Sequence, residues 1–219
     1  MIWYRGVYQM HLDTKVRDGL AKRILECLEQ AVPGSEASLR GSLATGQADQ
    51  YSDIDVLWQV PDDQFQGCTA HIEDILAPVA PIESLRSDID YQRSDRRRLF
   101  FVRFEGLPLF WRLDLNVLAW SLKGDQTYDS SNPAARGDDW SYTESALMNA
   151  IGAVKAILRG REEIAVGSLE RAYARVGLDM PDLPLRELIL HLVGEVAVID
   201  PKQEVLSARI RHLVHEALL

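Results

Sequence analysis

Cysteine is nearly absent. Cys27 and Cys68 are the only two in 219 residues, with neither metal-ligand spacing nor a second pair to build a disulfide framework. Both read as ordinary thiols, which points to a reducing compartment. Long hydrophobic runs are missing as well. The stretch Met1 to Gly6 lacks the apolar segment of a signal peptide, and no uninterrupted apolar run reaches membrane-spanning length. The expected location is therefore the cytoplasm, with no membrane contact. Positive charge is scarce: 24 Lys and Arg stand against 33 Asp and Glu, a net charge of -9. Polyanions are bound mainly by Lys and Arg, so this balance argues against a general affinity for nucleic acid and permits a neutral or cationic partner. Acidity for solubility alone is the plain alternative. No Walker-type phosphate loop, dinucleotide glycine fingerprint or Gly-x-Ser-x-Gly elbow occurs, which removes the commonest enzyme classes. His212 and His215 lie three apart without the acidic partner of a zinc-protease motif and read as surface or interhelical residues.

What the chain does have is Leu39-Arg40-Gly41-Ser42, followed after a polar segment by Asp53-Ile54-Asp55-Val56-Leu57-Trp58. Alternation along a strand puts Asp53 and Asp55 on one face and Ile54, Val56 and Trp58 on the other. Two carboxylates held that close repel, and a divalent cation between them is the economical remedy. Glycine lets backbone N–H groups approach an anion, and a hydroxyl beside a helix start completes a cradle for phosphate. An Asp-x-Asp alone is a common solvated strand end, so the pattern is informative only when taken whole. Asp88-Ile89-Asp90 lacks the preceding Gly-Ser turn and reads as a solvated strand or hairpin.

Periodicity places a helix over Asp13 to Ala31, capped by Asp13, with Val16, Leu20, Ile24 and Leu28 as its apolar stripe. Ala37 to Arg40 and Ile54 to Val60 read as strands, and Asp62-Asp63 opens a helix through Leu76. Strands follow at Ile82 to Tyr91, Leu99 to Glu105 and Leu109 to Trp120, the last two turning about Gly106-Leu107-Pro108. In the last, Arg112, Asp114 and Asn116 share a face, and an Asp114 paired with Arg112 or Arg103 is one reading of that charge. Residues 121–139, rich in Ser, Asp, Gly and Pro, form a linker or active-site loop. Beyond it everything is helical: 141–158, 161–176, 184–199 and 201–218. The expected fold class is α+β, a mixed sheet with flanking helices followed by a C-terminal helical bundle. The expected parts are 1–120, a 121–140 connection and 141–219.

Taken together, Gly41-Ser42, the spacing to Asp53-x-Asp55 and the apolar flanks resemble the signature of the DNA polymerase beta-like nucleotidyltransferase superfamily. The two-part plan resembles its small-molecule branch, such as the aminoglycoside and lincosamide nucleotidyltransferases. The resemblance implies a third carboxylate on a neighbouring strand, for which Asp114 is the candidate as metal ligand or general base. It implies Mg²⁺, two ions, on Asp53, Asp55 and Asp114, with an NTP as co-substrate. The phosphates would be held by Gly41, Ser42 and a lysine from the first helix after the linker, Lys155. Glu144 is a second candidate base, although a first-turn glutamate is also favoured by the helix dipole. The reaction implied is transfer of a nucleoside monophosphate to a hydroxyl of a small molecule, such as an aminoglycoside antibiotic, with release of pyrophosphate. Protein nucleotidylation and a non-catalytic nucleotide-binding module are the alternatives. The Arg93, Arg96, Arg97, Arg98 cluster either meets phosphate or RNA or is solvated. Tyr128, Trp140 and Tyr142 either stack on a base or sugar or anchor the linker.

Overall fold

The computed structural model describes residues 12–218 except 124 and 126. Among them no helix is long and apolar enough to cross a membrane. The chain divides into two compact units after Trp140.

The first unit runs α1 (Thr14–Ala31), β1 (Glu36–Leu39), α2 (Gly41–Ala44), β2 (Ile54–Val60), α3 (Phe65–Ala70), α4 (Ile72–Leu76), β3 (Ile82–Ser87), β4 (Arg97–Phe104) and β5 (Leu113–Ala119). The strands form one sheet in the order β1-β2-β5-β4-β3. β2 and β5 are parallel, and every other neighbouring pair is antiparallel. One face is apolar because alternation points Ile54, Val56, Trp58 and Val60 the same way as Leu113, Leu115, Val117, Phe100, Val102 and Phe104. Leu20, Ala21, Ile24 and Leu28 of α1 and Phe65, Cys68, Ile72 and Leu76 of α3 and α4 cover that face. Each fully buried Leu, Ile, Val or Phe contributes about 1.5–3 kcal/mol, so this layer holds the sheet in place.

Asp13 caps α1, its carboxylate accepting from the Lys15 amide at 3.0 Å. The buried stripe is rotated from the expected one. Val16 is 54 % exposed, while Arg17 is 2 % exposed. Positions 17, 20/21, 24 and 28 lie on one helical face, and Val16 falls about 100° away from it. β3 stops at Ser87 because the Asp88 carboxylate accepts from the Asp90 amide and starts a 3-10 turn over Ile89–Tyr91. β5 begins at Leu113, later than alternation suggests. Phe110 and Trp111 are buried off the ladder, the former edge-on to Tyr51 and the latter bonded to the Gln50 carbonyl at 3.0 Å. The helix expected through Leu76 is two, broken at His71.

The described residues of 121–140 dock as a strap on the sheet's second face. Leu122 packs with Leu57 and Leu118, and Tyr128 packs against them. Arg97, from the cluster read as either meeting phosphate or RNA or being solvated, is 9 % exposed. It donates to the Tyr128 carbonyl and the Ser130 hydroxyl, both at 3.1 Å, and lies 4.0 Å from the Tyr91 ring centroid. The Arg93 amide donates to the Ala135 carbonyl at 2.8 Å, and the Gly137 amide donates to the Ile89 carbonyl at 2.7 Å.

The second unit is helical: α5 (Tyr142–Leu158), α6 (Glu162–Arg175), α7 (Leu185–Ile199) and α8 (Glu204–Ala217). Ser141 caps α5 by accepting from the Glu144 amide at 3.1 Å. Small residues at Ala146, Ala150, Ala153, Ala165 and Ala172 are buried, which suits close approach of α5 and α6. Tyr173 anchors α6 to α7, its hydroxyl donating to the Leu188 carbonyl at 2.9 Å with the His191 ring stacked beside it. Burial pushes its phenol up to about 12.

Candidate active site

The open face of the sheet carries the acids. Asp55 on β2 and Asp114 on β5 are direct register partners on parallel neighbours, so their backbones lie one strand spacing apart, about 4.8 Å. Asp53 stands just before β2, where Ile54 is tied to the neighbouring segment by its amide donating to the Arg112 carbonyl at 2.9 Å.

The Gly-Ser turn is built against Asp55. The Arg40 amide donates to the Asp55 carbonyl at 2.8 Å. Gly41 follows with φ +57°, and a Cβ added to it would collide with Asp55 Oδ2. Glycine is therefore required twice here, for the left-handed backbone and for the space that the carboxylate fills. Gly41 and Ser42 open the short helix α2, which Thr45 closes back by donating to the Gly41 and Ser42 carbonyls at 3.2 and 3.3 Å.

The loop leading into Asp53 is fixed from both sides. Asp49 Oδ1 accepts from the Tyr51 amide at 2.9 Å and from the Ser52 hydroxyl at 3.0 Å. Arg17, from α1, donates to the Asp49 carbonyl and pairs with Asp18 at 2.9 Å. A buried guanidinium bonded to a loop carbonyl holds that loop in one place.

Asp114 is gripped by Arg112, two residues before it on the same face. Nε reaches Oδ1 at 2.5 Å and Nη2 reaches Oδ2 at 2.6 Å, with about a fifth of each side chain exposed. Burial pulls the Arg112 guanidinium down, but Asp114, then Asp53 and Asp55, outweigh it and hold its pKa above the ordinary arginine value. Three carboxylates and one guanidinium thus share one electrostatic site. The pairing of Asp114 with Arg112, open at the level of sequence, is what the structure contains. Among the described residues no three His, Cys, Asp or Glu side chains converge as a ready metal cage. The donor set is nevertheless all carboxylate oxygen, the chemistry a hard divalent cation takes, and Gly41 leaves room for the Asp55 carboxylate.

Lys155 and Glu144 belong to the second unit. Lys155 is half-buried in the last turn of α5, and Glu144 is 7 % exposed in its first. Tyr142 is exposed, Trp140 packs edge-to-face on Phe101, and Tyr128 lies on the strap with its hydroxyl donating to Asp95 at 3.1 Å. Sequence reasoning leaves Arg17 and Phe101 without a role. The signal for Arg17 was its place at i-3, i-4, i-7 and i-11 from the buried residues of α1.

Residues 21–100 match the family model described as a nucleotidyltransferase domain. The match contains Gly41, Ser42, Asp53 and Asp55 and ends before Asp114. The chain carries a domain of this enzyme class. Solved structures similar to it include a cytoplasmic RNA terminal U-transferase, 15 % identical with 68 % of this chain and 40 % of that one covered, TM-score 0.38. The polymerase core of TRAMP, an RNA surveillance complex, is 12 % identical, with 84 % and 50 % covered and a TM-score of 0.39. An aminoglycoside 6-adenyltransferase from Bacillus subtilis is 12 % identical, with 72 % and 64 % covered and a TM-score of 0.35. The chain spans 40 % of the length of the first of these. No curated protein matches the chain in sequence.

Proposed function

We propose that this protein transfers a nucleoside monophosphate from an NTP to a hydroxyl of a small molecule in the cytoplasm. The observation that carries this reading is the in-register pair Asp55 and Asp114, with the Gly41-Ser42 turn packed onto the Asp55 carboxylate. In this reading the catalytic machinery lies in residues 1–120, with 121–140 as its linker or active-site loop.

Asp53 and Asp55, with Asp114, would hold Mg²⁺, whose chemistry is to neutralise charge on the triphosphate and on the leaving pyrophosphate. The Gly41 and Ser42 backbone cradles the phosphates. The acceptor oxygen forms its bond to the α-phosphorus as the bond to the bridging oxygen breaks, and the hydroxyl proton passes to an Asp114 oxygen. Arg112 orients that carboxylate. Positioning and charge neutralisation supply most of the rate.

Labelled NTPs with Mg²⁺, offered with a panel of hydroxylated small molecules and with cell lysate, test the reading. Transfer to a small molecule is expected, and Asp53→Asn and Asp55→Asn are each expected to reduce it by about a hundredfold or more with unchanged melting, as loss of a principal electrostatic stabiliser does. Near-normal turnover in either variant overturns the assignment. Label appearing on protein alone moves the acceptor to a polypeptide.

A further inference from the structure

Arg112 can fix the plane of the Asp114 carboxylate only if its own plane is fixed. An arginine side chain turns about several single bonds, so a guanidinium with nothing beneath it samples many planes. Phe101 supplies the surface. It is the register partner of Asp114 on the neighbouring antiparallel strand, which puts the ring beside that carboxylate on the open face. The Arg112 guanidinium carbon lies 4.7 Å from the Phe101 ring centroid. Attraction to the ring's quadrupole holds a guanidinium in place over it, while the N–H edge of Arg112 grips Asp114.

The half-buried ring is itself held by its neighbours. Arg86, its register partner on β3, places a guanidinium 5.8 Å from the ring centroid. Trp140 meets the ring edge-to-face, 6.1 Å away at 69°, and the Arg86 guanidinium lies 5.0 Å from the Trp140 ring. Trp140 comes from outside the sheet, as the last residue of the strap, and the strap's exit is locked to the corner that follows β3. The Gln92 side-chain amide bonds the Asp139 backbone in both senses: Oε1 accepts from its amide at 3.2 Å, and Nε2 donates to its carbonyl. Nε2 also donates to the Ser87 carbonyl at 3.1 Å. Gly137 permits the close approach, since a Cβ there would collide with Gln92. Arg93 pairs with Asp138 at 3.0 Å, but both side chains are exposed and such a pair adds little. The amide clamp and the glycine contact therefore do most to set where Trp140 falls.

We propose that Phe101 and Trp140 are positioning residues for Asp114. Docking of the strap's exit seats Trp140 on Phe101, Phe101 sets the plane of Arg112, and Arg112 sets the plane of the carboxylate that receives the acceptor's proton. This rests on the transfer reading above and makes the seating of residues 137–140 a condition of its chemistry. Alignment matters here as much as charge, because a small misplacement of a reacting group is costly in rate.

Heteronuclear NMR of the full chain, labelled at its arginine side chains, reads the hold on Arg112 without any acceptor. The Arg112 Nε–H, assigned as the signal lost in Arg112→Lys, should exchange with water about tenfold faster in Phe101→Leu and in Trp140→Leu, as expected when a partly desolvated guanidinium–ring contact or its support is lost. Phe101→Tyr keeps the ring and should keep the wild-type rate. Gln92→Leu, which removes the clamp and leaves both rings intact, should act like Trp140→Leu. The control is the Nε–H of Arg17, bonded to Asp18 Oδ1 at 3.1 Å on α1, whose exchange should not change.

Kinetics gives the second readout. With labelled ATP, Mg²⁺ and the acceptor that the panel above identifies, Phe101→Leu and Trp140→Leu should each lower kcat about tenfold, as loss of a group that supports a ligating side chain does, with KM for ATP unchanged. Because both act through Arg112, neither should lower kcat further in an Arg112→Lys background. Losses that multiply in that background overturn the inference, as do equal acceleration of Arg17 and Arg112 exchange or wild-type Arg112 exchange in both ring variants. Faster Arg112 exchange in the ring variants of a chain that labels no acceptor at all would sink the transfer reading alone and leave the hold of Phe101 on Arg112 standing.

Discussion

Arg112, just before β5, and Asp114, within it, form a two-toothed ion pair at 2.5 and 2.6 Å, one step from Asp55 on the next strand. Such a fork fixes the plane of a carboxylate as well as its charge. Replacing Arg112 by Gln should lower kcat for nucleotidyl transfer more than it raises KM for the NTP, because it disturbs orientation rather than binding. In urea the variant should lose about 1–3 kcal/mol, as expected when a half-buried charge is deprived of its partner. Arg112→Lys should restore the charge without the fork and recover only part of kcat. Wild-type kcat and unfolding free energy in Arg112→Gln would show the pair to be idle.

Gly41→Ala should be severe. The substitution places a methyl group against Asp55 Oδ2 at a backbone angle of +57°. The left-handed backbone alone costs roughly 1 kcal/mol for alanine, and the displaced carboxylate should reduce transfer by a further hundredfold or so. Gly34→Ala is the control, since its φ is +85° but nothing lies near its Cβ. It should show the strain in a melting curve and keep full activity.

Arg17 gives a prediction about the approach to the acids. Arg17→Met keeps the apolar stem but leaves the Asp49 carbonyl without its guanidinium. Amides of residues 47–53 should exchange hydrogen about tenfold faster, a loss of roughly 1.4 kcal/mol of local stability, while exchange in β4 is unchanged. Uniformly faster exchange through the sheet would mean that Arg17 supports the fold rather than this loop.

Cys68 sets a pH dependence. Its thiol is 5 % exposed and burial pushes it from 9.0 up to about 11. Below pH 9 both the folded and the unfolded thiol are protonated and the thiol's contribution to stability is constant. Between pH 9 and 11 the unfolded chain releases its proton and the folded chain does not, so stability falls as pH rises. The loss is at most about 2 kcal/mol. Urea midpoints across that window should fall, and Cys68→Ala should flatten this part of the slope; an unchanged slope would assign it to other groups.

How much of this was readable in the chain depended on which force dominates locally. The four C-terminal helices were legible to within three residues because Gly160, Gly177, Pro184 and Pro201 interrupt a strong apolar period. β2 and β5 were legible because their inward residues are apolar and their outward ones are not. Arg17 was hidden because a valine beside it is the more obvious core residue, and burial of an arginine depends on a loop thirty residues away. The strap was hidden for the same reason. Residues 121–139 look like a linker because their anchors are backbone carbonyls met by Arg93 and Arg97, and composition does not record where a carbonyl points. The motif was plain, yet the grip of Arg112 on Asp114 competes with ligation by other groups, and only the folded arrangement of the side chains chooses between them.

The parallel pairing of β2 with β5 also sets a timetable. No tight turn can join parallel neighbours, and all of β3 and β4 lies between these two in the chain. The β3-β4-β5 meander can zip from local contacts, whereas docking β2 must first close a long loop and therefore comes late. Asp55 and Asp114 thus become neighbours only when the rest of the sheet is standing. In pulse-labelled refolding, amides of β4 should be protected before those of β2, and the capacity for chemistry should be the last property the nascent domain acquires.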